Sequence, residues 1–219
     1  QIEIFSKNKD KKKILYIENQ VGKRLDNIFS LNFDLVLVCN EKCRDFLIHK
    51  YKNLNVKVIG DTHYNNLIKN YNSKKCLDKK FITIFLSSED KNMDIELLNI
   101  NNFFYLIDSI KKINSENNLI LIRFHPRTTE ELKLKIKKKY PNLYFNNIIS
   151  NDEVLKRSKI TLGFGTSMYY ESLINEVPSC FVNLNNKFTT LYDFFDLNEI
   201  LLIDNEEDLK EFITFPKLD

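Results

Sequence analysis

The chain has 219 residues, 43% hydrophobic and 29% charged, a globular composition that supports one large core or two smaller ones. Its 33 basic and 30 acidic residues leave a formal charge of +3, which argues against a dedicated nucleic-acid binder. No apolar run reaches the roughly 18 residues of a membrane-spanning helix.

In chain order, short apolar runs alternate with helical patterns. Strands are predicted at 14–17, 35–38 and 56–60, the last ending on Gly60. Helices are predicted at 21–30, 41–50 and 64–71. The polar, aperiodic stretch 72–80 is the linker candidate and divides the chain into units 1–73 and 78–219. A second series follows, with strands at 81–86, 119–124, 143–145, 160–162, 179–184 and 200–203. Between them lie helical patterns within 93–113 and at 129–139, 152–157, 167–175 and 206–213. Apolar runs of four or five residues bounded by polar turns suit buried parallel strands. The expected fold is α/β, with doubly wound parallel sheets in two successive Rossmann-like units.

The four cysteines, Cys39, Cys43, Cys76 and Cys180, form no CxxC pair and have no histidine at ligand spacing, so no metal site is expected. Cys39 and Cys180 lie in apolar runs and read as small core residues. The amino terminus, Gln1-Ile2-Glu3, has no initiating Met and no signal-peptide pattern, which points to a processed chain or an excised fragment. A reduced, cytoplasmic protein is expected. The lysine-rich runs at 9–13 and 135–139 are either solvated faces or a peripheral contact with an anionic membrane at its inner face.

Only four glycines occur, and two of them, Gly163 and Gly165, share one loop. That loop follows a predicted buried strand, where open α/β sheets bind ligands. Thr166 and Ser167 offer a cap to the next helix, whose exposed N–H groups and dipole favour a phosphate. Glu171 lies four residues after Ser167, on the same helical face, where a carboxylate can accept ribose hydroxyls. The plainer alternative is a simple cap with a solvated Glu171.

His125 emerges at the end of the run 119–122, and Pro126 keeps it extended. Arg123 and Arg127 flank it with guanidinium forks suited to phosphate oxygens. An imidazole there can donate to a departing phosphate, although a lone His-Pro also occurs as plain structure. Asp152-Glu153 reads either as dipole complementation at a helix start or as a ribose or base contact through Glu153.

With these residues in view, the segment from Gly165 to Glu171, closed by Pro178, resembles the donor-site helix of the GT-B class of nucleotide-sugar glycosyltransferases. Arg123-Phe124-His125-Pro126-Arg127 is similar to the His-Pro motif of bacterial sialyltransferases and polysialyltransferases that use CMP-activated sugars. The resemblance implies that His125 contacts the CMP phosphate and assists its departure, with Arg123, Arg127, Gly165, Thr166 and Ser167 around the phosphate. Glu171 would hold the ribose. It also implies metal-independent transfer of a sialic-acid-like sugar to a bacterial surface glycan, lipooligosaccharide or capsule, with no cofactor besides the CMP-sugar donor. The absence of an Asp-x-Asp motif agrees with that route.

Polymerases that use CDP-glycerol share a similar Arg-x-His-Pro and a later Ser–Glu helix. A glycerophosphotransferase, a UDP-sugar GT-B enzyme and a non-catalytic nucleotide-binding fragment therefore stay open. The match is concentrated at 119–184, and the segment 56–61 looks like the end of a GT-B amino-terminal domain. By that resemblance, 1–73 is a truncated acceptor-side unit and 78–219 a complete donor-binding one. Glu18 follows the first strand, where the general base would lie, but no motif supports it. Acceptor, linkage and oligomeric state are not written in the sequence.

Overall fold

In a computed structural model, residues 12–17, 32–71, 79–86, 100–114, 118–164, 166–184 and 200–218 are described. The predicted helix at 21–30, Glu18, Gly165, Cys76 and most of the linker candidate lie outside them. The chain divides into two compact units, Gln1–Asn70 and Tyr71–Asp219.

The first unit holds three parallel strands in the order β1 (Ile14–Ile17), β2 (Leu35–Val38), β3 (Val56–Val58). Val36 and Val38 of the middle strand are fully buried. Helix α1 (Glu41–Lys50) follows β2, and Asn40 caps it by accepting the Cys43 N–H at 2.8 Å. The predicted third strand stops two residues short of Gly60, whose φ of +78° turns the chain toward α2 (Thr62–Asn70).

The second unit is a six-stranded sheet, every described pairing of which is parallel. Its strands are β4 (Phe81–Phe85), β5 (Leu119–Arg123), β6 (Tyr144–Phe145), β7 (Ser158–Gly163), β8 (Ser179–Val182) and β9 (Leu202–Ile203). They lie in the order β6-β5-β4-β7-β8-β9, so the winding reverses between β4 and β7. Counted within the unit this is 3-2-1-4-5-6, and ligands bind such sheets outside the carboxyl ends of strands at the reversal. Helices α3 (Ile100–Ile113), α4 (Glu130–Lys139), α5 (Asn151–Arg157), α6 (Met168–Ile174) and α7 (Glu206–Thr214) complete it.

The core explains why these runs became strands. Ile82, Ile84, Ile122, Ile160, Cys180 and Phe181 are fully buried in one cluster with Phe103, Ile107 and Ile110 of α3. Phe85, Leu121, Val154 and Val177 belong to a second cluster, so successive β4 and β5 residues divide between two apolar sets. Thr129 caps α4 through the Leu132 N–H, Ser150 caps α5 through Glu153, and Asn205 caps α7 through Asp208. Among the described residues no helix is long and apolar enough to cross a membrane.

Candidate functional site

The loop after β7 is tightly built. A Cβ added to Gly163 would meet Thr166 Cγ2 at 2.6 Å, closer than carbon atoms can pack. Glycine is needed here for close approach, and not for an unusual φ. Phe164 then turns inward, 2% exposed, with its ring edge-on to Phe103 at 6.4 Å. Thr166 Oγ1 accepts the Met168 N–H at 3.3 Å. Ser167 is exposed, helical in φ/ψ, and makes no side-chain cap bond. Both expected capping hydroxyls thus behave differently: Thr166 closes a short turn and Ser167 presents its side chain outward. The next N–H groups, of Tyr169 and Tyr170, bond the carbonyls of Thr166 and Ser167 at 3.1 Å, three residues back. Helix α6 is therefore shorter than the predicted 167–175. Glu171 sits half-buried on it.

A buried row of hydroxyls ties α6 to the sheet. Thr161 Oγ1 lies 2.8 Å from the hydroxyls of both Ser172 and Ser179, and Ser172 Oγ donates to the Met168 carbonyl at 2.6 Å. Thr161 has one proton, and that of Ser172 is already committed to Met168. The Thr161 proton therefore goes to one serine oxygen at a time, that of Ser172 or that of Ser179, while Ser172 donates onward to Met168. Thr161→Val keeps the shape but breaks the row at its middle, taking the Thr161 partner from the buried Ser179 hydroxyl while Ser172 keeps its bond to Met168. It is expected to cost about 1–3 kcal/mol in urea unfolding, with an unchanged m-value.

Beyond β5, the backbone of the 125–128 turn closes through Thr128 N–H to the His125 carbonyl at 2.9 Å. His125 is half-buried, and its Nδ1 accepts the Arg127 N–H at 3.1 Å. That bond leaves the proton of the neutral ring on Nε2. Burial, then the charge of Arg127, holds the imidazole below its ordinary pKa, so it is neutral near pH 7. The buried Thr128 hydroxyl, beside this turn, has no partner among the described residues and was not anticipated from sequence.

Arg123 departs from its expected place in a phosphate fork. It is 9% exposed, and its guanidinium donates to the Asn146 carbonyl at 2.7 Å, the Ile149 carbonyl at 3.0 Å and Asn151 Oδ1 at 2.8 Å. Burial lowers its pKa without making it anything but a cation. Asn151 in turn points Nδ2 at Met168 Sδ, 3.1 Å away. A side-chain bridge thus runs from the end of β5 to the first residue of α6. Asn147 adds a second clamp: its side-chain amide accepts from Phe124 N–H at 3.2 Å and donates to the Phe124 carbonyl at 2.7 Å. Residues 146–151 are a bracket that sets where His125 leaves the sheet.

Glu153 also finds another partner. Its carboxylate accepts from Arg157 Nε at 3.0 Å and Nη2 at 2.7 Å on its own helix, beside an Asp152–Lys156 pair. This is an ordinary i,i+4 helix-surface pairing. Among the described residues, no three His, Cys, Asp or Glu side chains form a group able to hold a metal ion.

What remains is a single sheet edge. Phe85, the last residue of β4, is in register with Arg123 on one side and Gly163 on the other. The turn carrying His125 and Arg127 and the loop carrying Thr166, Ser167 and Glu171 both follow carboxyl ends of strands. Two strand spacings, about 10 Å, separate those strands.

No protein-family model and no curated protein sequence matches the chain. Solved structures do. TarM is 15% identical with a TM-score of 0.60, over 95% of this chain and 44% of TarM. The Methanocaldococcus jannaschii UDP-GlcNAc 2-epimerase, solved with UDP-GlcNAc and UDP, is 14% identical with a TM-score of 0.61, over 100% of this chain and 73% of the epimerase. The pneumococcal O-GlcNAc transferase GtfA, solved with UDP and GlcNAc, is 10% identical with a TM-score of 0.55, over 94% of this chain and 46% of GtfA. The chain thus spans less than half the length of TarM and GtfA. Taken with the parallel sheets and the strand reversal, these likenesses give the chain the GT-B fold.

Proposed function

We propose that this chain carries the nucleotide-sugar-binding half of a glycosyltransferase. The observation behind this reading is the sheet edge: a neutral histidine on one turn and a hydroxyl-lined helix start on another, flanking the strand next to the reversal. The donor phosphate meets His125 Nε2–H, the Arg127 guanidinium, Thr166 and Ser167, and the half-buried Glu171 accepts the ribose hydroxyls. Arg123 is left out of this set, since its donors already hold the 146–151 bracket. The leaving phosphate is neutralised by these preorganised donors, so the reading needs no metal.

For the donor, the His-Pro motif favours a CMP-activated, sialic-acid-like sugar and a surface-glycan acceptor. A UDP-sugar is the second reading, favoured by the UDP bound in the epimerase and in GtfA. Thermal denaturation with CMP, CDP, UMP and UDP separates them. A nucleotide at about 100 times its Kd stabilises by about 2.7 kcal/mol, which raises Tm by about 5–11 °C for a chain of this size. CMP is expected to give that shift; UDP alone giving it would retire the CMP reading, and no nucleotide giving it would retire both.

The pH dependence identifies the histidine. A bound phosphate favours the imidazolium, so the pKa of His125 rises on binding from its depressed free value. Affinity then strengthens as pH falls through the bound-state pKa and levels off below the free-state one. His125→Gln is expected to remove that increment, and comparing the two proteins cancels the titration of the nucleotide itself. Identical pH profiles would take His125 out of the site.

A further inference from the structure

The two cysteines at the end of β2 form a site unrelated to nucleotide binding. Cys39 directly follows the strand and precedes Asn40, the cap of α1; Cys43 lies on the first turn of that helix. Their sulfurs are 3.8 Å apart. Cys43 is 3% exposed, whereas Cys39 is only half-buried. Sequence reading took Cys39 for a core residue, but it sits past the last buried position of β2, on the turn into α1. We propose that Cys39 and Cys43 are a reversible redox pair, in which Cys39 attacks hydrogen peroxide first and Cys43 resolves the product to a disulfide.

The environment of Cys39 fits the attacking role. The sulfur of Cys43 stands within hydrogen-bond reach, where as donor it favours the Cys39 thiolate, and the backbone N–H groups of Cys39 and Asn40 favour it too. Against burial and the nearby charge of Asp61, the balance brings the Cys39 thiol down to about 7. Low pKa, access and a resolving cysteine alongside are what set redox-sensing cysteines apart from inert ones. Cys180 is the internal contrast: fully buried, its thiol is pushed well up by desolvation.

The chemistry balances with the peroxide as the only oxidant. The Cys39 thiolate attacks one peroxide oxygen; an S–O bond forms, the O–O bond breaks, and hydroxide leaves to become water. Cys43 sulfur then attacks the sulfenic acid; the S–S bond forms, the S–O bond breaks, and hydroxide leaves with the Cys43 proton as a second water. Two thiols lose two electrons, and one peroxide becomes two waters. The sulfurs must close from 3.8 Å to about 2.05 Å.

A peptide map tests this without any variant. The full chain is reduced, freed of reductant and exposed to one equivalent of hydrogen peroxide. Trypsin cuts after Lys42, between the two cysteines, so the disulfide must join the peptide ending at Lys42 to the dipeptide Cys43-Arg44. The expected result is that linked pair, a mass loss of about 2 Da per chain, and its reversal by dithiothreitol. In Cys43→Ser, Cys39 should accumulate as a dimedone-reactive sulfenic acid; in Cys39→Ser, Cys43 should stay unmodified. An unchanged mass, a link to Cys76 or Cys180, or a link between two chains would overturn the proposal.

Discussion

Arg123→Ala is expected to destabilise the second unit by about 3–5 kcal/mol, read as a fall in Tm of roughly 6–20 °C. The substitution removes a charged donor from two backbone carbonyls and one amide oxygen, all part-buried, where a hydrogen bond to a charged group contributes about 1.5–3 kcal/mol. Arg123→Lys should recover little of this, because a single ammonium on a flexible stem does not reproduce a planar fork reaching three acceptors. Arg127→Ala is the matched control: its side chain is exposed, and Tm should move by less than about 0.5 kcal/mol equivalent while nucleotide affinity drops. If Arg123→Ala left Tm unchanged and only weakened binding, the bracing role would be wrong.

Phe164→Ala should have a comparable effect by a different route. The ring is buried against Phe103 at the point where the chain leaves β7, and removing it opens a cavity costing about 3–5 kcal/mol. The loss should reach the candidate site as well, because the anchored ring fixes the loop one residue before Gly165 and Thr166. Phe164→Leu, which refills most of the volume, is expected to recover more than half of the stability. Binding that survived in Phe164→Ala at the native level would mean the loop is held from elsewhere.

Much of the second unit was legible from its apolar runs. The strands at 81–86 and 119–124 were found within a residue because consecutive apolar side chains face buried layers on both sides, and few other structures accept them. The strand at 160–162 in fact begins at Ser158. That serine fell outside the predicted strand, but it is buried, with its hydroxyl satisfied internally by Thr83 at 2.7 Å and by the Val154 carbonyl at 2.8 Å. The positions of the candidate site residues followed from strand ends, which the sequence marks well. Their partners did not. Arg123 and Glu153 looked alike on paper, charged residues near a cleft; what separates them is which partners meet them, Arg157 one turn along the same helix for Glu153 and distant acceptors for Arg123. For Arg123 the acceptors lie 23 to 28 residues away, and residue spacing does not show which side chains and carbonyls come within bonding distance. The clamp of Asn147 and the Cys39–Cys43 approach were missed for the same reason, since each depends on an interatomic distance that residue spacing alone leaves undetermined.

The ordered hydroxyl row beneath α6 restricts how this protein can drift. Because the three hydroxyls bond one another in a buried row, exchanging Thr161, Ser172 or Ser179 alone for an apolar residue takes a hydrogen-bond partner from a neighbour. Replaced together, they leave nothing stranded but the Met168 carbonyl, and the cost should be far below the sum of the separate changes. Among natural variants of this chain, those three positions should change as a set: three hydroxyls, or three aliphatic residues, with mixtures rare.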